Sequence, residues 1–402
     1  MYWLVRIGSI LGAILASFIL DKFVGGMSTF SQTLIIYAGL YVTLAVSLNL
    51  INGITGQFSM GHAAFYQVGA YTAGYLSVNF YGKWGGLQGP AWLIVMMFIG
   101  AAIAAVAGLV VGLPSLRLKG DYLAIVTLGF GEIIRIIVQN QEQIGGSYGM
   151  NVQPKFPVIF AGTGTSGTWL VCLLAIATIA ISRNLLKTAH GLPFLAVRED
   201  EVASSAMGVN VTGVKVTAFV LGSAFAGAAG ALLANYQGFI SPTMFTMEIS
   251  FIILTMVVLG GTGSITGSAL AAVVLFYLPE KLRDMPPVPA GVLIGAIISA
   301  IAMVVAMKRV VDHYHGPKLK AGMLYVGAVV GAAALTFILG KVFGAVPKIA
   351  AVEPIEASKL RMVIFATTLI FLMLLRPQGV LGHLEFSWDG LFKRQHKPEV
   401  AV

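Results

Sequence analysis

The sequence predicts an all-α fold, a polytopic integral membrane bundle of helices. Charge is scarce: 57% of the 402 residues are hydrophobic and only 10% are charged, against roughly 25% charged in a soluble globular domain. Mean hydropathy is +0.89. Apolar runs of about 17–23 residues recur from end to end, each long enough to cross a hydrocarbon core of roughly 30 Å. A surface this poor in charge cannot face water over a chain of this length.

In chain order the first run, residues 4–20, carries Arg6. It is long for the apolar region of a signal peptide and no small-x-small cleavage site follows, so a retained first span is expected. Residues 33–50 form the second run, and 58–80 a third that polar residues interrupt. Runs at 91–113, 121–139, 169–182 and 214–235 follow. Residues 247–259 and 265–278 read either as two spans or as one broken hairpin. Further runs lie at 288–306, 322–339 and 361–375, giving about 10–12 spans when short or broken helices are counted. The expected organisation is a core over 1–280 with a polar loop at 183–213, an extra membrane hairpin over 281–360, and a final span and tail over 361–402. Small residues recur every fourth position, as in Gly100, Ala104, Gly108 and Gly112, or Ala226 and Gly230. Such rows let helix backbones approach closely in lipid.

The net charge of +9 belongs with this class rather than with nucleic acid. With the N-terminus in the cytoplasm and one crossing per run, about 15 Lys and Arg fall inside and about 9 outside, as the positive-inside rule expects. Both termini are then cytoplasmic. The basic clusters include Arg117 with Lys119, Arg183 with Lys187 and Arg198, and Lys308 with Arg309.

Enzyme chemistry finds little support. The lone cysteine, Cys172, excludes an internal disulfide and a multi-cysteine metal site. Residues 260–267, GGTGSITG, lack the strand and βαβ context of a dinucleotide loop; a tight turn or helix break between two spans fits better. No G-x-x-x-x-G-K-[ST] motif occurs, so phosphates of ATP are not cradled in that way. His313 and His315 lack a nearby carboxylate or cysteine and read as solvated. No catalytic residue and no metal site is assigned.

Three features remain. Glu132 and Arg135, three apart, share a helix face; they either line a path through the membrane or neutralise each other near the end of the span. The loop 189–213 contains Arg198, Glu199, Asp200 and Glu201. A short helical stretch is expected to begin at 199–201, with Val202, Ala203, Ala206 and Met207 as a small apolar face and Gly208 as its stop. Two turns of helix are not stable alone in water: the rest of the protein, the membrane surface or a partner must hold them. Finally, residues 52–65 read NGITGQFSMGHAAF. Asn52, Gly53, Gly56, Gln57, Ser59, Gly61 and His62 are too polar for a lipid-facing helix. They predict a helix break beside a translocation route, where glycines permit the break and polar side chains satisfy freed backbone or line the path. For His62, a structural hydrogen bond and contact with cargo both remain open.

The stretch LNLINGITGQFSMGHAAFYQVGAYTAGYL resembles the leading signature of the inner-membrane permeases of branched-chain amino acid ABC importers. RLKGDYLAIVTLGFGEIIR at 117–135 is similar to the second signature of the LivM-type subunit. GLPFLAVREDEVASSAMGVNVTGVKVTAF at 191–219 resembles that family's ATPase-coupling loop, and 257–272 and 375–382 its closing blocks. The resemblance implies a transport subunit in a bacterial inner (plasma) membrane. It pairs with a second homologous permease, docks on two ATP-binding subunits and receives cargo from an external or periplasmic binding protein. It implies that 199–208 inserts into the ATPase, and that ATP and Mg are bound by those partners with no cofactor in this chain. The run 285–360 departs from the family pattern. Three alternatives stay open: the related urea or short-chain amide permease, an ion-gradient-driven secondary transporter, which would need a buried carboxylate or His relay, and a membrane enzyme.

Overall fold

The computed structural model describes residues 2–84, 88–115, 120–160, 165–189, 191–283 and 298–299. The expected hairpin over 281–360, the final span over 361–402, and His313 and His315 thus lie essentially outside the described residues. The described chain is helical, in the order α1 (Tyr2–Gly25), α2 (Thr29–Asn49), α3 (His62–Phe80), α4 (Pro90–Ser115), α5 (Asp121–Gln139), α6 (Phe156–Ile159), α7 (Thr168–Lys187), α8 (Leu192–Glu199), α9 (Glu201–Ala206), α10 (Val211–Gln237), α11 (Met247–Gly260) and α12 (Ile265–Arg283). Two short strands, β1 (Met150–Asn151) and β2 (Phe239–Ile240), pair antiparallel with Met150 opposite Ile240. Everything described up to Val274 belongs to one compact unit; a second begins at Leu275.

Six stretches among the described residues are long and apolar enough to cross a membrane: Thr29–Ile54, Pro90–Pro114, Tyr122–Gln139, Thr168–Lys187, Val211–Gln237 and Pro242–Gly260. Their outward faces carry exposed Phe98, Val106, Ile125, Ile133 and Ile137, as a hydrocarbon surround requires. The protein is a multi-pass membrane protein. α3 is absent from that set although it is 19 residues long. It need not be apolar, because α4, α5, α10 and α11 pack around it and bury most of its length, including Gln67, Tyr66 and Ser77.

The centre of the bundle is a crossing of α3, α4 and α10. The predicted small-residue row on α4 meets a matching row on α10. A Cβ on Gly108 would lie 2.0 Å from Ser223 Oγ, one on Gly112 3.3 Å from the Phe219 Cβ, and one on Gly100 3.0 Å from the Ala231 Cβ. Gly227 sits where all three helices touch: a Cβ there would fall 2.3 Å from the Ala104 Cβ and 2.5 Å from the Gly100 carbonyl oxygen, while one on Gly69 would fall 2.0 Å from the Gly227 carbonyl oxygen. Gly230 presses in the same way on Tyr66 and Ala70 of α3. With no water to expel between helices in lipid, this close backbone packing supplies the attraction. At the edge, Asp21 of α1 is buried and accepts from Ser166 Oγ (2.7 Å) and the Trp169 backbone N–H (3.3 Å), anchoring α1 to the start of α7.

Two sequence expectations are corrected. The third run does not begin its helix at Phe58: residues 55–61 are non-helical and α3 starts at His62. The loop 189–213 holds two short helices rather than one. Asp200 is extended and its carboxylate accepts from the backbone N–H groups of Val202 (2.8 Å) and Ala203 (3.0 Å). Asp at an N-cap starts a new helix, so Arg198 and Glu199 end α8; of the expected residues Glu201, Val202, Ala203 and Ala206 lie in α9, and Met207 and Gly208 follow it.

Gly227→Ala is expected to lower stability by about 1–3 kcal/mol through overpacking of the triple crossing. Thermal unfolding of the purified protein in detergent measures it. Gly129→Ala, where a Cβ meets nothing within 4 Å, is the control and leaves the midpoint unlowered.

Candidate functional site: a broken helix and its anchors

α2 ends in a π-helical turn, Leu50–Ile54. The chain then folds back along the helix it has just left. The Gln57 N–H donates to the Ile51 carbonyl (3.2 Å). Asn52 brackets Ser59: its Oδ1 accepts from the Ser59 N–H and its Nδ2 donates to the Ser59 carbonyl, both at 3.1 Å. His62 Nε2 and Ser47 Oγ are 2.8 Å apart. Ser47 lies about two turns, roughly 10 Å, before the end of the π turn, so α3 begins well inside the bundle rather than at its end.

Other helices meet two more of the freed N–H groups. Thr127 Oγ1 of α5 accepts from the Met60 N–H (3.0 Å), and Ser250 Oγ of α11 accepts from the Ala63 N–H (3.0 Å). Gln57 Nε2 donates to Thr55 Oγ1 (2.8 Å) and to the Lys215 carbonyl of α10 (3.4 Å). Gly61 is the N-cap of α3, and a Cβ there would fall 2.2 Å from the Thr127 carbonyl oxygen. Gly56 has φ +70°, a conformation that favours glycine, and packs on the Arg198 side chain.

The break is also tied to both neighbouring turns. Asn49 Oδ1 accepts from the Gly263 N–H (2.9 Å) and Asn49 Nδ2 donates to the Ser264 carbonyl (3.0 Å). This joins α2 to the α11–α12 turn, where Gly261 and Gly263 take positive φ. Gly53 sits in the contact: a Cβ would lie 1.9 Å from Asn49 Oδ1 and 2.2 Å from the Gly263 nitrogen. From α8, Arg198 Nη1 donates to the Gly53 carbonyl (3.4 Å), while its Nε and Nη2 grip Glu199 Oε1 (3.2 and 2.7 Å). Lys215, buried near the start of α10, pairs with Glu201 of α9. The α8–α9 segment is therefore fastened to the broken helix through Arg198, and through Glu201 and Lys215 to the non-helical segment that carries Gln57.

A small cavity opens beside the first turn of α3. Met60, Gly61 and Ala63 form one side, Leu128, Gly131 and Glu132 of α5 another, and Phe245, Met247 and Ser250 a third. Arg135 Nε holds Glu132 Oε2 at 2.8 Å and its Nη1 reaches Gln139 Oε1 at 3.3 Å. Among the described residues no cluster of His, Cys, Asp and Glu could hold a metal ion.

Residues 30–307 match the family model described as "Branched-chain amino acid transport system / permease component". The chain belongs to that family. It is 38% identical over 271 residues to the high-affinity branched-chain amino acid transport system permease protein LivM of Escherichia coli K12, covering 61% of this chain and 62% of that one. It is 29% identical to a probable LivM of Methanocaldococcus jannaschii, covering 63% and 81%. It is 26% identical to the LivH permease of E. coli K12, covering 61% and 85%. The aligned stretch thus spans about three fifths of the E. coli LivM relative. No solved structure matches the chain.

In this family member the residues expected at a helix break divide by role. Asn52, Gln57 and the Ser59 backbone hold the break, His62 bonds to Ser47, and Gly53, Gly56 and Gly61 let other atoms come close. Of them only Gly61 lines the cavity. Glu132 joins that wall while also forming its pair with Arg135. Sequence reasoning missed Asn49, Thr127, Ser250 and Lys215. Their signal was a polar side chain inside an apolar run, and nothing in sequence said which partner each would meet. Among α8–α9 residues Val202 is 70% and Met207 85% exposed, and Ala203 and Ala206 are exposed beside them, whereas Ser204 is buried.

Asn49→Ala removes one acceptor and one donor from the α11–α12 turn and leaves two backbone groups without their partner. A loss of about 1–3 kcal/mol for each group left unsatisfied is expected, read as a lower thermal midpoint of the purified protein.

Proposed function

We propose that the chain is the LivM-type membrane subunit of an ATP-driven importer of leucine, isoleucine and valine. It sits in the bacterial inner membrane with both termini in the cytoplasm. It pairs with a second, LivH-like permease, receives cargo from an external binding protein and rests on two ATP-binding subunits that carry ATP and Mg. The names of its relatives support the cargo and the pairing. The distribution of Lys and Arg supports the orientation.

The observation that carries the reading is the α8–α9 segment. Its short second helix shows an apolar face of Val202, Ala203, Ala206 and Met207 to the surroundings, while its other side is fastened to the break. A segment exposed on one face and mechanically linked on the other has the form of a lever. Pushed by an ATPase, it would pull the Gly53 carbonyl through Arg198 and residue 57 through Lys215. The break and the α11–α12 turn then move together, because Asn49 joins them. Alternating access needs such an element with two arrangements, biased from outside the membrane.

The reading is tested by reconstituting the two permeases with and without the ATPases in proteoliposomes and measuring leucine uptake. ATP-dependent uptake is expected. Uptake that needs no ATPase but follows a proton or sodium gradient would overturn the reading, and ATP-driven uptake of urea in place of leucine would overturn the cargo. Ala203→Arg and Ala206→Arg are expected to abolish ATPase docking while the permease still inserts, read by co-purification of the ATPase. Arg198→Ala is expected to leave docking intact and to cut uptake per ATP hydrolysed about tenfold, the effect of losing one charge-assisted hydrogen bond in the lever.

A further inference from the structure

α5 carries charge where lipid would surround it. Its span, Tyr122–Gln139, is the least enclosed of the six: 17% of it is buried, against 33–78% in the others. Glu132 and Arg135 nevertheless lie on it, Glu132 within about 3 Å of the span's midpoint along the helix axis. Their 2.8 Å ion pair is not fully covered: 31% of the Glu132 side chain and 23% of the Arg135 side chain stay exposed. Ionisable groups at membrane depth face protein or water, because hydrocarbon offers them no partner. α3 covers one side of α5, where Thr127 meets Met60 and Gly131 faces Gly61. The opposite side has no cover among the described residues: Tyr122, Ile125 and Ile136 are exposed there.

That side is also patterned. Tyr122, Ile125, Gly129, Glu132, Ile136 and Gln139 follow one another at steps of three and four residues, the spacing of a seam between two helices. Each is exposed or half-buried. A Cβ on Gly129 would meet nothing within 4 Å, so no described neighbour accounts for a glycine in mid-span, where it costs about 1 kcal/mol against alanine. At a seam position glycine lets a second backbone come close. Isoleucine suits lipid and a neighbouring helix alike. The ion pair and the seam glycine suit only the helix, and a polar residue in such a seam fixes register and partner.

We propose that this face of α5 docks a helix of the second permease, whose backbone comes close at Gly129 and which sets a hydrogen-bond donor against Glu132. This rests on the importer reading and adds to it the face on which the two permeases meet. A second copy of this chain is the poorer occupant. Related by a two-fold axis along the membrane normal, it would bring its own α5 up in parallel and set Glu132 against Glu132 at the same depth. Like charges facing each other in a seam select against that pairing, whereas a homologous chain is free to carry a donor there.

The experiment co-expresses this chain with the second permease and the ATPases of its importer, and places a photoreactive benzophenone side chain at one position at a time. A wild-type chain that brings no second permease through purification refutes the paired-importer reading itself, before any position is compared. Given a wild-type pair, the probe at Ile125 or Ile136 is expected to cross-link to the second permease. At Phe98 or Val106, exposed on α4, it is expected not to. Cross-links from α5 to another copy of this chain, to its own residues beyond 283 or to lipid alone overturn the proposal, as do equal yields from α4. Gly129→Leu fills the seam and is expected to cut the co-purified second permease about tenfold, while the thermal midpoint of the chain purified alone is not lowered. Undiminished pairing overturns the proposal, and a midpoint lowered together with pairing does so too, by assigning Gly129 to the fold of this chain.

Discussion

Backbone polar groups freed inside a membrane have no water to turn to. Where α2 gives way at the π turn, each N–H and carbonyl released must be met by protein or left at a cost of several kcal/mol. The structure meets this demand from all around. Asn52 answers for Ser59, Thr127 for Met60, Ser250 for Ala63, Ile51 for Gln57 and Arg198 for Gly53. The break therefore exists only while α5, α8, α10 and α11 stand in their places. A segment that depends on so many neighbours is also moved by any of them, which is why a structural necessity can serve as a junction for mechanical coupling.

Close packing has the same origin. Hydroxyl and amide partners must come within about 3 Å, so the helices carrying them must approach closely. Glycines at 53, 61, 69, 227, 230 and 263 leave the space for this, and at several of them a Cβ would fall on backbone atoms of another helix. The small-residue rows and the polar anchors are thus two halves of one arrangement: the rows bring backbones together, and the anchors fix the register in which they meet. α3 can be polar because it is enclosed, and it is enclosed because its small residues admit α4 and α10.

The fold was legible in sequence to the extent that it follows from solvent. Hydropathy and length mark the spans, and four-residue spacing of Gly and Ala marks the faces that pack. The polar stretch at 52–65 announced a break through its composition alone. Its extent differs because the polar run and the helix start differ: Met60 and Gly61 lie inside the run that begins at Phe58, yet remain outside the helix. The α8–α9 boundary was missed for a similar reason. An acidic run of Glu199, Asp200 and Glu201 suits a helix start, but which acid caps it depends on backbone angles that composition does not carry.

By itself the sequence determined the membrane class, the place of the break and the family, since each rests on local composition or on the order of motifs along the chain. Tertiary structure alone decided what the polar residues do. Asn49 reaches Ser264 and Gly263, Gln57 reaches Lys215, and Arg198 reaches Gly53 across separations of about 145–215 residues. In a medium that offers no alternative partner, the identity of the group across the helix boundary determines whether a polar side chain is a brace, a lever or a wall of a cavity, and that identity is a property of the packed bundle rather than of any segment in it.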